Sequence, residues 1–320
     1  MTYWHGAIRL GHLTIPRFIG GPLDGITDSP FRKVIRKFSP DALLYSEMRH
    51  VACVAHDKGV KKTLDFEQME RPLVYQFSAN SIECIDRACE LVVAAGVDAV
   101  DLNIGCPARC VVKSGSGSAL MGDLPRLKII LEHFRKTLKI PFTLKIRAGF
   151  KEKNAVTVAQ LAQDCGVDAL AIHPRLQTQM FAGQPDYDLA RQVKEAVSIP
   201  VFLSGGIINW ATAQRAYEQT GVDGYLIGRG IWSRPWKLRE LQEQSQGNIF
   251  TVTDEMIGQA ALDHLHEVMK YYGPHGAYVF RKHLPFYIKG KPSAGTLRKQ
   301  LMVSHTAQEL EDGLWTFFMV

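Results

Sequence analysis

Five times in this chain a helical stretch closes on Gly-Val-Asp or Ile-Pro and a short apolar run begins at once: Gly96-Val97-Asp98, Ile140-Pro141, Gly166-Val167-Asp168, Ile199-Pro200 and Gly221-Val222-Asp223. Glycine just past a helix end takes the left-handed conformation that closes the helix. Eight β-rich runs follow this rhythm, near Arg17–Gly21, Ala42–Glu47, Leu73–Ser78, Ala99–Asn103, Phe142–Ile146, Ala169–His173, Val201–Ser204 and Gly224–Gly228. Helical stretches separate them, and this alternation requires a parallel sheet with crossover helices. Eight such units predict a closed sheet, since closure gives every strand two neighbours and leaves no edge. The expected fold is α/β, a TIM (β/α)8 barrel.

After Gly230 the strand pattern stops. Asp254 to Tyr272 predicts a helix with apolar positions at Met256, Ala260, Leu262, Leu265 and Met269 and a cap at Thr253 or Asp254. Residues 1–245 are therefore expected to form the barrel and 246–320 a smaller all-helical domain, with Gly247-Asn248 as a linker. A length of 320 residues accommodates both.

Apolar residues at 46% and charged residues at 22% match a globular chain with a sizeable core and argue against disorder. No eighteen uncharged apolar residues stand together, so no spanning helix and no membrane partner are expected. The first ten residues lack the apolar run and small-residue cleavage site of a secretion signal, and the expected location is the cytoplasm. The six cysteines form no Cys-x-x-Cys pair and no histidine stands at finger spacing, so no metal is expected. Oligomeric state has no signature in the chain, and a monomer is assumed.

The net charge of +6 matters less than its placement. Between Glu267 and Glu309 there is no acidic residue, while Lys270, Arg281, Lys282, Lys289, Lys291, Arg298 and Lys299 alternate with Tyr271, Tyr272, Tyr278, Phe280, Phe286 and Tyr287. Uncompensated cations interleaved with aromatics point to an anionic partner, nucleic acid above all. The plainer reading is a solvated helix face.

Catalytic groups on this fold sit at the carboxyl ends of the strands. Here those ends carry Glu47, Gln76, Asn103, Lys145, Arg147, His173 and Arg175. Two glycine-rich ends follow, Ser204-Gly205-Gly206 and Gly228-Arg229-Gly230. Their backbone amides can approach a phosphate closely, in the place where barrels commonly hold one, and Arg229 adds a charged hydrogen bond. After the fourth strand comes Asp101-Leu102-Asn103-Ile104-Gly105-Cys106-Pro107, then Lys113-Ser114-Gly115-Ser116-Gly117-Ser118. A thiol at the rim can hold or release a proton near neutral pH, and the Gly/Ser loop is expected to close over substrate. Most loop cysteines are inert, and Cys110 is a weaker candidate than Cys106.

Together these motifs resemble the bacterial tRNA-dihydrouridine synthases. The resemblance rests on residues 101–107, Lys145-Ile146-Arg147, His173 with Arg175, Ile227-Gly228-Arg229-Gly230, the run from Gly21 to Asp28, and Arg281-Lys282-His283. It implies FMN touched by Pro22, Leu23, Asp24, Gln76, Lys145 and His173, with its phosphate at Ser204, Gly205, Gly206, Gly228 and Arg229. NADPH is the implied reductant and tRNA the substrate. Cys106 is the implied catalytic acid, protonating C5 of a uracil that receives hydride at C6. Asn103, Arg147 and Arg175 would bind substrate at the rim, and Arg281, Lys282, Lys289 and Lys291 would grip the RNA around the extruded base.

Two positions depart from the family pattern. Ser204-Gly205-Gly206 stands where Asn-Gly-Asp is usual, and His173-Pro174-Arg175 replaces His-Gly-Arg, which stiffens the turn. Two other readings stay open on sequence alone: an FMN barrel acting on a free pyrimidine, in the manner of dihydroorotate dehydrogenases, and a tRNA-binding protein without turnover.

Overall fold

The computed structural model describes residues 3–57, 64, 66–304 and 306–319. Two short strands come first, β1 (Ile8–Leu10) and β2 (Leu13–Ile15), paired antiparallel. Eight more follow: β3 (Phe18–Gly20), β4 (Leu44–His50), β5 (Leu73–Ser78), β6 (Ala99–Asn103), β7 (Phe142–Gly149), β8 (Ala169–Leu176), β9 (Val201–Ser204) and β10 (Gly224–Ile227). They close in the order β10-β3-β4-β5-β6-β7-β8-β9, every neighbouring pair parallel. The expected (β/α)8 barrel is present, and its strands lie where the apolar runs placed them.

Alternation along each strand builds two separate cores. Outward residues such as Phe18, Leu44, Tyr75, Leu102, Leu144, Ile172, Leu203 and Tyr225 join the layer beneath the surrounding helices. Inward residues Ile19, Tyr45, Val74, Ala99, Ala171, Phe202 and Leu226 form a second cluster inside the barrel, and Ile8, Leu10 and Ile15 of the β1–β2 hairpin complete it. The hairpin thus plugs the amino end of the barrel. Each plugging side chain contributes about 1.5–3 kcal/mol by leaving water. Sequence reading did not find this element.

Higher in the barrel the inward positions turn polar. Asp101 is fully buried there, its carboxylate accepting from Thr143 Oγ1 at 2.6 Å and from Gln76 Nε2 at 2.8 Å. Burial pushes its pKa up to about 6 against these bonds and the field of Lys145.

The expected tail helix spans Asp254–Tyr272 and is capped by Thr253, whose hydroxyl accepts from Met256 N. With the later helices it encloses a third core that includes Ile257, Leu265, Phe280, Leu284, Leu301 and Leu314. That core reaches back to Trp236 and is packed by Phe38, at the end of helix Ser29–Phe38. Asp28 caps the start of this helix, accepting from Phe31 N, while its other oxygen accepts from Tyr272 Oη at 3.0 Å. Lys33–Glu267 and Lys37–Asp263 ion pairs extend the junction. At its centre His264 and His283 lie fully buried with ring centroids 4.4 Å apart, and Ser233 donates to His283 O. Among the described residues no helix is long and apolar enough to cross a membrane.

Candidate active site

Every barrel strand delivers a residue to one cavity of about 480 Å³ at the carboxyl ends: Gly21 after β3, Met48, Gln76, Asn103, Lys145, His173, Ser204 and, after β10, Gly228. Pro22, Leu23, Asp24, Cys106, Arg147, Gly205, Gly206, Arg229 and Lys289 line it too. Of the barrel side chains singled out in the sequence, Glu47, Arg175 and Cys110 do not line this mouth, nor does the Lys113–Ser118 stretch.

Glu47 is turned away by an irregularity in β4, where register with β5 shifts between Tyr45 and Met48. Met48 consequently faces the cavity, while Glu47 accepts from Gly25 N at 2.6 Å and pairs with Arg49 at 3.0 Å. Arg175 stands behind His173 and donates to its Nε2 at 2.9 Å. With Nε2 accepting, the ring carries its hydrogen on Nδ1. Burial, then the positive charges of Lys145, Arg147, Arg175 and Arg229, push the His173 pKa down to about 2, so the ring is neutral.

A chain of side-chain amides runs from Asp101 to the thiol loop. Gln76 donates to Asp101, Asn103 Nδ2 donates to Gln76 Oε1 at 2.9 Å, and Gly105 N donates to Asn103 Oδ1 at 2.9 Å. Arg147 braces the same loop, its Nε donating to Gly105 O at 2.7 Å and its Nη1 to Leu176 O and Met180 O. Cys106, half-buried, follows directly. Burial raises its thiol pKa above the ordinary range, against a backbone hydrogen bond at Ala108 and the field of Lys145. The thiol is accordingly protonated at neutral pH.

The Gly/Ser stretch lines none of the cavity and packs behind the Cys106 loop. Arg109–Lys113 and Gly117–Gly122 form short helices, Ser116 and Ser118 are buried, and Ser118 N donates to Cys106 O at 3.1 Å. A Cβ on Gly117 would lie 2.8 Å from that same oxygen.

Lys145 has no hydrogen-bond partner among the described residues and lines the cavity. Burial, followed by Arg147, pulls its pKa down to about 8, with Asp101 opposing. Gly205 and Gly206 hold φ of +104° and +84°. A Cβ at Gly206 would fall 2.2 Å from Tyr187 Oη and one at Gly205 2.9 Å from the His173 ring, so both positions require glycine. Arg229 is exposed, its guanidinium carbon 4.7 Å from the Phe181 ring centroid.

The basic tail divides. Lys289 lines the cavity, but Lys291 pairs with Asp254, and Arg281 donates to Met302 O at 2.7 Å while covering Tyr278. Burial pushes the Asp28 pKa up to about 6, and the positive charge of Lys282 is among the influences that oppose it. Phe286 of the basic aromatic tail also lines the mouth, as do Met48, Phe181, Trp232 and Arg234, which were not foreseen.

The fold and site define a (β/α)8 barrel with a cationic, glycine-walled cavity and a protonated thiol at its rim. The family described as Dihydrouridine synthase (Dus) matches residues 19–318, and the chain belongs to that family. Relatives include a probable tRNA-dihydrouridine synthase 1 of Synechocystis sp., 31% identical over 97% of this chain and 89% of its own. A tRNA-dihydrouridine synthase B of Pseudomonas aeruginosa is 32% identical over 92% of this chain and 90% of its own. Among solved structures, a variant of NCR from Zymomonas mobilis superposes with a TM-score of 0.58 at 15% identity, covering 80% of this chain and 95% of that one. A mutant of morphinone reductase in complex with tetrahydroNAD gives 0.55 at 12% identity, covering 75% and 90%. These two likenesses concern the fold alone.

Proposed function

We propose that this protein is an FMN-dependent tRNA-dihydrouridine synthase that reduces uridine in tRNA to 5,6-dihydrouridine with NADPH as reductant. The observation that carries the reading is the meeting of the Cys106 thiol, the unpartnered Lys145 ammonium and the glycine wall at one mouth. The cavity fits a flavin phosphate ester by the chemistry of its donors: glycines 205 and 206 bare their backbone, Arg229 lines the same cavity, and Lys145 lines it without a hydrogen-bond partner among the described residues. Bound FMN would supply hydride to C6 of the uracil.

The chain's own residues do the rest. Pro22, Leu23, Asp24, Gln76, Lys145 and His173 would hold the cofactor, and Ser204, Gly205, Gly206, Gly228 and Arg229 its phosphate. Lys145 would hold the cofactor's ring system and offset its negative charge. His173, neutral and fixed by Arg175, presents Nδ1–H as a donor. Asn103 and the Arg147 brace set the Cys106 loop, so that the thiol hands its proton to C5 and recovers one from solvent. Arg175 acts through His173 rather than on substrate. In the tail, Lys289 and Lys282 would meet RNA phosphate, whereas Lys291 and Arg281 would first give up intramolecular partners. A tRNA uracil has to leave its stack to reach this mouth, and the tail would hold the surrounding strand.

Purified protein should be yellow, and NADPH should bleach it anaerobically. Colourless protein that takes up no added FMN would overturn the cofactor assignment.

A further inference from the structure

On the β10 side of the mouth two aromatic rings from different parts of the chain meet face to face. Trp232 follows β10, and Phe286 belongs to the tail helix Leu284–Tyr287. Their centroids are 4.0 Å apart with 25° between planes, and both line the cavity. Trp232 Nε1 is buried without a hydrogen-bond partner among the described residues. Beside the rings stand Arg234 and Lys289, both exposed and lining the same cavity, and neither side chain makes an ion pair or hydrogen bond among the described residues. Among the described residues Asp24 is the only acidic side chain in the lining, and it is turned toward Arg49 at 3.3 Å.

In the closed order β10 lies opposite β6, so this step faces Cys106 across the mouth. A pyrimidine held at the thiol therefore has its neighbours in the strand directed toward the rim. An aromatic step flanked by two unpaired cations is the composition that takes a base on its face and a phosphate at its side. We propose that Trp232 and Phe286, with Arg234 and Lys289, form a second nucleotide subsite that binds the residue adjoining the reduced uridine. The subsite rests on the tRNA reading above and deepens it. Because Phe286 and Lys289 come from the tail and Trp232 and Arg234 from the barrel, it exists only while the two parts are docked. It is thus a positioning device for the choice of uridine.

The test measures binding of an unmodified tRNA transcript to FMN-loaded protein. W232A and F286A should each weaken tRNA binding about tenfold, as expected for a lost base stack, and raise KM while FMN affinity holds; W232F should recover most of the loss. R234Q and K289Q, which leave the rings intact, should each flatten the salt dependence of binding by about one phosphate contact. Wild-type tRNA affinity in W232A and F286A, or loss of FMN with tRNA affinity preserved, overturns the subsite and leaves the function standing. FMN-loaded wild-type protein that binds no tRNA overturns the function itself, and the subsite with it.

Discussion

Cys106→Ala should retain FMN and tRNA affinity while dihydrouridine formation falls by about 10²–10⁴-fold, the usual worth of a positioned acid. The thiol is half-buried behind a loop held by Asn103, Arg147 and Ser118, so its loss leaves the wall standing. Burial also dictates the pH profile. A thiol pKa raised above its ordinary range keeps the acid protonated through neutral pH, so wild-type turnover should stay flat there and decline only on the alkaline side. Cys106→Ser keeps the shape but presents a far weaker acid, and should resemble the alanine variant. The readout is single-turnover dihydrouridine formation with prereduced protein; a Cys106→Ala rate within threefold of wild type would remove the cysteine from the chemistry.

Gly205→Ala should lower FMN affinity at least tenfold and cost about 1–3 kcal/mol of stability, because a side chain is forced into sparsely allowed backbone space. The backbone at this position has φ +104°, and the new methyl would sit 2.9 Å from His173 Cδ2, 3.0 Å from its Nε2 and 3.3 Å from Arg175 Nη1. Relief requires His173 to move into the cavity and its bond from Arg175 to stretch. Two groups assigned to the cofactor are then disturbed by a single carbon. Flavin fluorescence titration and thermal unfolding measure the two effects separately, and unchanged FMN affinity would place the phosphate away from this loop.

The barrel was legible because its physics is local and repeated. A helix end, a β-rich run and a polar strand end recur with little variation, and buried parallel strands need no information from distant residues to be recognised. The site was legible where a side chain's direction follows from its place on a regular strand, as at Gln76, Asn103, Lys145 and His173. Legibility failed wherever a partner decides. The irregularity in β4 exchanges Met48 for Glu47 and is set by pairing with β5, which no local pattern announces. Lys291 reads as an available cation in the sequence, yet Asp254, thirty-seven positions away, pairs with it. The hairpin plug consists of two strands of three residues, too short for periodicity to register. Phe181, Trp232 and Phe286 sit in loops or a single helical turn, and only the closed barrel and docked tail bring them to the mouth. At Gly117 and Ser118 the small residues allow close packing against Cys106, a contact that glycine content alone does not announce.

The most direct test of the central claim is a nucleotide-resolution map of dihydrouridine in tRNA from cells with and without this gene. Deletion is expected to abolish reduction at one or more defined uridines, and the wild-type gene should restore it while the Cys106→Ala gene does not. Identical maps with and without the gene, in cells where no second synthase covers the same positions, would contradict the claim.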